Sequence, residues 1–281
     1  MNMNQNQIQL DVERALDEDL NGLGPNEGDI TAALINDDVM VTASILTRED
    51  CVLCGTLWAT ETFKQVNPDI KVNWLYNDGD LCEANKVFCE LSGSARSILT
   101  AERTALNFLQ TLSGTATTTK AYVDLLKGSG ITLLDTRKTI PGMRLAQKYA
   151  VKCAGADNHR IGLFDAFLIK ENHILACGSI DNAVKQAKKN KPNAKVEVEV
   201  ESLEELKQAI NAKADIVMLD NFNQEMLSQA VLINNKSVKL EVSGNITSEK
   251  LQNLRGIGID FVSSGAITKD VKSIDLSLRI N

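Results

Sequence analysis

Residues 195–220 read KVEVEVESLEELKQAINAKADIVMLD. The stretch opens on a strictly alternating run, passes through a segment of helical composition, SLEELKQAINAK, and closes on a second apolar, β-branched run. A strand, a short helix and another strand make a βαβ unit, with parallel strands and a right-handed crossover. The same rhythm extends in both directions, through ITLLDT (131–136) and DAFLIK (165–170) before it, and VKLEV (238–242) and IDFVSS (259–264) after it. The helical segment TSEKLQNLRGI (247–257) separates the last two. These six strands predict an incomplete version of the parallel α/β barrel, whose closed form has eight. In KVEVEVE, Glu197, Glu199 and Glu201 share one face and the valines the other. Glutamates facing a barrel interior need cationic or metal partners. Taken alone, the run reads equally as an edge strand with one solvated face.

Each strand ends in polar residues: Asp135-Thr136-Arg137-Lys138, Lys170-Glu171-Asn172, Glu199 with Glu201, Asp220-Asn221, Glu241 to Asn245, and Ser263-Ser264-Gly265. Parallel α/β folds build their sites at the carboxyl ends of strands, so these residues are expected to converge. Loops are polar in general, which accounts for Asn and Ser but less well for repeated Arg, Lys and Glu. Charge is unevenly spread as well. From Arg137 to Lys170 there are seven basic residues against two acidic ones, in a chain of net charge −7. From Glu197 to Glu225 there are eight acidic residues against two lysines. A basic block followed by an acidic one suits a site that holds an anion beside a divalent cation. Solvated helix faces produce charge runs too.

Residues 1–115 differ in texture. VMVTASILTRED, CVLCGTL and KVFCELSGSA suggest an antiparallel sheet, and LWATETFKQVN a helix against it. The expected organisation is an N-terminal α/β sandwich domain (1–115) and an incomplete TIM-like barrel (116–268), with the tail 269–281 packing back on the first domain. The segment SILTAERTALNFLQTLSG (97–114) reads as the connecting helix. At 100° per residue, Ala105, Leu106, Phe108, Leu109 and Leu112 fall on one arc. Glu102 lies inside that arc and calls for a partner. Arg103 lies at its edge, where a snorkelling surface side chain is the plain expectation.

With 281 residues the chain is long enough for two domains, and 43% hydrophobic with 24% charged residues is ordinary globular composition. The acidic balance argues against nucleic-acid binding. The sequence has no signal-peptide core and no apolar run long enough to cross a membrane, so a cytoplasmic location is expected. CVLC (51–54) has no second closely spaced pair to complete a zinc site, and the six cysteines read as reduced core residues. Only His159 and His173 are present, too few for a histidine-rich metal centre.

The convergent set places Arg137, Lys138, His159, Arg160 and Lys170 opposite Glu199, Asp220 and Glu241. Guanidinium forks bind carboxylates bidentately, and lysines serve as compact charges for phosphate. Facing carboxylates suit Mg²⁺, which takes few protein oxygens plus substrate phosphates. The turns VSGN (242–245) and SSGAIT (263–268) lead from strand to helix and suit a terminal phosphate. The residues thus point to a substrate system carrying both carboxylate and phosphate groups. Neither a Walker motif nor GxGxxG is present, so neither a P-loop nor a nicotinamide-binding fold is indicated.

EDLNGLGPNEGDIT (18–31), ERTALNFLQTLSGTAT (102–117), LLDTRKTIPGMR (133–144), GADNHRIGLFDAFLIKENHI (155–174), VEVEVES (196–202), MLDNF (218–222), LEVSGNIT (240–247) and DFVSSGAIT (260–268) together resemble the quinolinate phosphoribosyltransferase family, in order and over nearly the whole chain. The resemblance implies a homodimer whose sites lie between one barrel and the partner's N-terminal domain. It implies transfer of phosphoribosyl from phosphoribosyl pyrophosphate to quinolinate with decarboxylation, giving nicotinate mononucleotide, CO₂ and pyrophosphate, in NAD biosynthesis with Mg²⁺. Arg103, Thr136, Arg137, His159, Arg160 and Lys170 would bind quinolinate, Arg103 from the neighbouring subunit. Lys138, Glu199 and Asp220 would be catalytic. The same three, with Glu241, Ser243, Gly244, Asn245, Ser264 and Gly265, would bind phosphoribosyl pyrophosphate. Glu199 and Asp220 would hold the metal, directly or through water. A related transferase acting on nicotinate would need fewer cations. A non-catalytic phosphosugar-binding protein would be expected to have lost Lys138, Glu199 or Asp220. An aldolase-type barrel could use Lys170 for a Schiff base but would leave the arginines without a task.

Overall fold

The stretch 195–220 forms a strand, a helix and a parallel strand in the computed structural model, which describes residues 4–36 and 38–281. The chain divides into two compact units. One comprises residues up to 120, then 140–155 and 270–281; the other comprises 121–139 and 156–269.

The first unit begins with α1 (Gln5–Leu20) and the single-turn α2 (Pro25–Gly28), followed by β1 (Met40–Thr47), β2 (Cys51–Val52), α3 (Thr56–Val66), β3 (Lys71–Trp74), β4 (Leu81–Cys82) and β5 (Val87–Ser94). Strand β5 pairs antiparallel with β1 and β3, and residues Leu276–Ile280 add to the other edge of β1. Helix α4 (Ala95–Leu126) follows. Its apolar arc of Ala105, Leu106, Phe108, Leu109 and Leu112 is buried, because a 3.6-residue repeat keeps those positions on one face. Along it, Ile98, Ala105 and Leu109 pack with Ile45, Phe63 and Phe88, while Phe108 and Leu112 pack with Ile8, Val12 and Trp58. Glu102 is half-buried; burial holds its carboxyl above the usual range, opposed by the Arg103 charge. Arg103 itself is exposed.

The remaining elements are β6 (Thr132–Leu134), α5 (Arg144–Cys153), β7 (Phe167–Ile169), α6 (Glu171–Cys177), α7 (Ile180–Asn190), β8 (Val196–Val200), α8 (Leu203–Asn211), β9 (Ile216–Asp220), α9 (Gln224–Asn234), β10 (Lys239–Ser243), α10 (Ser248–Leu254), β11 (Phe261–Ser263) and α11 (Ala266–Lys269). Helix α5 belongs to the first unit. The six strands of the second unit form one parallel sheet in the order β6-β11-β10-β9-β8-β7. Strand β8 lies between β9 and β7, which rules out an edge strand for KVEVEVE. Val196, Val198 and Val200 are fully buried, and Glu197 is buried on the opposite face. Ordered turns return the chain from strand to helix. The side chains of Ser202, Asn223 and Thr247 accept from the backbone N–H groups of Glu205, Met226 and Lys250, capping α8, α9 and α10. Each cap follows a strand within a few residues and holds the intervening turn at the sheet's carboxyl edge.

Candidate active site

That carboxyl edge borders a cavity of about 200 Å³. Thr136, Arg137 and Lys138 enter it from beyond β6, His159 and Arg160 from the loop before β7, Lys170 from the end of β7, Glu199 from β8, and Ser243 and Ser263 from the ends of β10 and β11. Leu168 and Met218 supply an apolar wall. Nine of the strand-end and loop residues picked out in the sequence therefore share one cavity, and Leu168 and Met218 join them. Arg144, Lys148 and Lys152, part of the same basic block, sit on α5 in the other unit. The block as a whole is thus not the site; its strand-end members are.

The polypeptide around these cations is tied down by hydrogen bonds. Lys138 N–H donates to Thr136 Oγ1 (3.0 Å), and the Lys138 carbonyl accepts from Thr268 Oγ1 (2.7 Å). A Cβ placed on Gly265 would stand 2.9 Å from Lys138 Cδ, so the β11 turn touches the lysine stem. Buried Asp135 accepts from the His159 backbone N–H (2.9 Å) and from Asn158 Nδ2 (2.7 Å), and so anchors the loop that carries His159 and Arg160. Asp165 closes that loop by accepting from the N–H groups of Ile161 (2.7 Å) and Gly162 (3.2 Å). Burial opposes the Asp165 charge, yet the backbone donors around it hold its carboxyl below the usual range.

Electrostatics show what the cavity wants. The Arg160 guanidinium is held below its ordinary value by burial and by the like charge of Arg137, against the pull of Glu197, Asp165 and Glu199. Two guanidinium groups that repel each other in a half-closed pocket favour an anion with more than one negative charge. Lys170 Nζ lies 2.5 Å from Glu199 Oε2, so Glu199 faces the cations rather than standing alone.

Beneath this layer His159, Glu197 and Glu241 converge, with ligand atoms within 4.8 Å of one another. His159 Nδ1 accepts from the Arg160 N–H (2.8 Å), which leaves the ring proton on Nε2. Nε2 stands 2.9 Å from Glu197 Oε2 and 3.5 Å from Glu241 Oε2. Burial pushes the Glu241 carboxyl up to about 8; the nearby Glu197 charge adds to this and His159 opposes it. Glu241 is fully buried and lies behind His159, outside the cavity lining where a direct substrate contact was expected. Glu197 has the same supporting position. It was legible in the alternation of KVEVEVE, but nothing in the sequence indicated that it would face His159.

Asp220, Gly244, Asn245, Ser264 and Gly265 lie at the same strand ends without lining the cavity. Asp220 Oδ2 accepts from Asn221 Nδ2 (2.9 Å). Gly244 has φ +92°, and a Cβ there would sit 2.3 Å from Asn221 Oδ1, so only glycine fits this turn. Lys250, on α10, donates to the Gly244 carbonyl (2.7 Å). Burial lowers its ammonium below the ordinary value and Asp220 opposes the shift, so a cation stands beside this turn. Lys250 was not read as a site residue, because its place inside a helical run marks an ordinary surface lysine. Arg103 lies in the other unit, on the exposed side of α4. Among the described residues no helix is long and apolar enough to cross a membrane.

An open parallel α/β barrel with a polycationic cavity at its strand ends defines a class of enzyme that handles small, multiply charged anions. The comparisons narrow it. Residues 29–113 match the N-terminal domain of quinolinate phosphoribosyl transferase, and residues 115–279 its C-terminal domain. The chain is 40% identical over 274 residues to the chloroplastic nicotinate-nucleotide pyrophosphorylase [carboxylating] of Arabidopsis thaliana, covering 90% of this chain and 78% of that protein. It is 38% identical over 254 residues to a probable nicotinate-nucleotide pyrophosphorylase [carboxylating] of Bacillus subtilis, covering 90% and 88%. The solved nicotinate-nucleotide pyrophosphorylase of Francisella tularensis superimposes with a TM-score of 0.95 at 52% identity, over 100% of this chain and 98% of that one. The chain belongs to the quinolinate phosphoribosyltransferase family.

Proposed function

We propose that the protein transfers the phosphoribosyl group of phosphoribosyl pyrophosphate to quinolinate with decarboxylation, yielding nicotinate mononucleotide, CO₂ and pyrophosphate in NAD biosynthesis. One observation carries this reading for the chain itself: Arg137, Lys138, Arg160 and Lys170, from three separate segments, line one cavity whose only acidic lining residue among those described is Glu199. A planar dicarboxylate satisfies two adjacent guanidinium forks better than any monoanion.

In this reading Arg137 and Arg160 grip the two quinolinate carboxylates, with Thr136 and Lys170 at the edge. His159 orients the Arg160 backbone through Nδ1, with Glu197 and Glu241 behind it. Lys138 approaches both substrates. Glu199 and Asp220 favour positive charge at the ribose carbon as pyrophosphate departs, an electrostatic stabilisation of an oxocarbenium-like state. Attack by the ring nitrogen makes it cationic; the adjacent carboxylate then leaves as CO₂, because the carbanion left behind is stabilised by that positive nitrogen, and this carbanion takes up a proton from solvent to complete the nicotinate ring. Ser243, Gly244, Asn245, Ser264 and Gly265 cradle the 5′-phosphate, with Lys250 beside them.

Mg²⁺ fits the donor set. Asp220 presents a carboxylate at the strand edge, and Mg²⁺ is commonly held by one or two carboxylates plus substrate phosphates. Asp220 and Glu199 would hold it, and bound there it would neutralise charge on the departing pyrophosphate. The same reading includes a cytoplasmic homodimer in which Arg103 reaches the partner's site.

The test is direct. Incubation with quinolinate, phosphoribosyl pyrophosphate and Mg²⁺ should release CO₂ and form nicotinate mononucleotide. Replacing quinolinate by nicotinate should give at most trace product. Equal turnover of nicotinate, or no product from quinolinate, would overturn the assignment.

A further inference from the structure

Away from this cavity, three segments of the first unit bring two thiols and a carboxylate together. Cys54 follows β2, Asp78 lies in the turn between β3 and β4, and Cys153 ends α5. Their Sγ and carboxylate oxygen atoms all lie within 4.8 Å of one another. Cys54 is fully buried, and all three residues belong to the first unit.

Contacts that need no ligand hold the group in position. The Cys54 backbone is fixed in both directions by Ser113: Cys54 N–H donates to Ser113 Oγ (2.9 Å), and Ser113 Oγ donates to the Cys54 carbonyl (3.1 Å). Asp78 accepts on one oxygen from the Thr56 N–H (3.1 Å) and on the other from Tyr149 Oη–H (2.8 Å). The Tyr149 ring is in turn packed against Trp58 at 5.6 Å between centroids. Gly79, at φ +99°, passes so close to α5 that a Cβ would sit 3.0 Å from the Cys153 carbonyl. A half-buried carboxylate oriented by its own hydrogen bonds, beside two thiols, has the form of a metal ligand with its supporting partners in place.

We propose that Cys54, Cys153 and Asp78 form a binding site for a thiophilic divalent cation of the zinc class. Two thiolates and one carboxylate supply three ligands of a tetrahedron, and water supplies the fourth. Zinc–sulfur bonds of about 2.3 Å require the sulfurs about 3.8 Å apart, which the observed spacing allows with at most a small rotamer adjustment. Binding exchanges two thiol protons for the cation, and both protons are released to solvent. The thiolates make the site unsuited to Mg²⁺, so it is separate from the metal invoked for catalysis. The bound ion ties the end of α5 to the β2–α3 and β3–β4 turns, a structural clamp distinct from the reaction.

Cobalt(II) is the probe, because thiolate ligation produces a near-ultraviolet charge-transfer band that oxygen and nitrogen ligands do not. The full-length protein, with six free thiols verified by titration, should develop this band to saturation at one cobalt per chain, and zinc should abolish it. Cys153→Ser should lose the band. Asp78→Asn and Tyr149→Phe should each bind cobalt at least about tenfold more weakly. Cys177→Ser should behave as the parent. One equivalent of zinc should raise Tm in the parent but not in Cys153→Ser. Circular dichroism establishes that each variant is folded; if Cys153→Ser is not, Asp78→Asn decides. The proposal is overturned if no band forms at one equivalent, if it survives in a folded Cys153→Ser, if Asp78→Asn binds cobalt as tightly as the parent, or if the band is lost instead in Cys82→Ser, which alters Cys82, the partner of Cys51 across the antiparallel β2–β4 pair. A Cys54–Cys153 disulfide in protein prepared without added oxidant would overturn it too.

Discussion

Among the described residues, each unit of this protein gathers one cluster of potential ligands, and the two are built differently. In the barrel, His159, Glu197 and Glu241 come from a sheet and the loop beside it, and their ionisable groups face one another beneath a layer of arginines and lysines. In the first unit, Cys54, Asp78 and Cys153 come from two turns and a helix end, with soft donors where the barrel has hard ones. A parallel sheet brings its strand ends to one edge by construction, so residues distant in sequence meet there without further contrivance. Turns share no such rule. Their convergence depends on individual contacts, such as Gly79 against Cys153 or Tyr149 on Asp78.

The contrast can be broken most sharply at Arg137. If the barrel's cations are the substrate-binding half, Arg137→Ala should lower kcat/KM for quinolinate by at least about a thousandfold, the loss of two charge-assisted hydrogen bonds, with little change in Tm. Near-normal turnover would remove the cavity from the reaction. Arg103 asks whether the first unit contributes as well. Arg103→Ala and Arg137→Ala should each be inactive alone, yet a subunit-exchanged equal mixture should recover about a quarter of the parent activity, since half the dimers are hybrids with one intact site. No recovery, with exchange confirmed by mass spectrometry, would mean Arg103 acts within its own chain.

A third variant sharpens the phosphate half. Gly244→Ala forces a Cβ onto Asn221 in a left-handed turn and should raise KM for phosphoribosyl pyrophosphate at least about tenfold, with a stability loss of about 1–3 kcal/mol. Unchanged KM for that substrate would separate the turn from its binding. The smallest effect concerns the buried cluster. The Glu241 carboxyl is raised from 4.5 to about 8 on folding. The unfolded chain therefore gives up this proton at lower pH than the folded one does. The Glu241 contribution is intact below about pH 4.5 and is lost as pH rises towards 8, at no more than about 1.4 kcal/mol per pH unit. Tm measured from pH 5 to 8 should fall more steeply in the parent than in Glu241→Gln. Parallel profiles would show that Glu197 and His159 leave Glu241 no such role.

The barrel's half of the site could be read from the chain because its signals are local. Alternation in KVEVEVE, apolar runs of strand length and cations directly after them each lie within a few residues. The N-terminal sheet was recognisable by its β-branched runs, and the tail was expected on that domain; that Leu276–Ile280 pairs with β1 depends on contacts across nearly the whole chain. The basic block misled in part: Arg144, Lys148 and Lys152 count with Arg137 in sequence but belong to α5 in the other unit. Lys250 was passed over because nothing in its helix indicates that the side chain turns back to the Gly244 carbonyl.

By itself, then, the order of residues determined the βα rhythm, the parallel sheet and which strand ends carry arginine, lysine and carboxylate, because backbone periodicity and side-chain type are properties of short segments. Only the tertiary structure decided that Glu197 and Glu241 stand behind His159, that Asp135 anchors the loop bearing Arg160, and that Cys54 lies opposite Asp78 and Cys153. Those are matters of distance between segments far apart in the chain, and distance is set by how the layers pack.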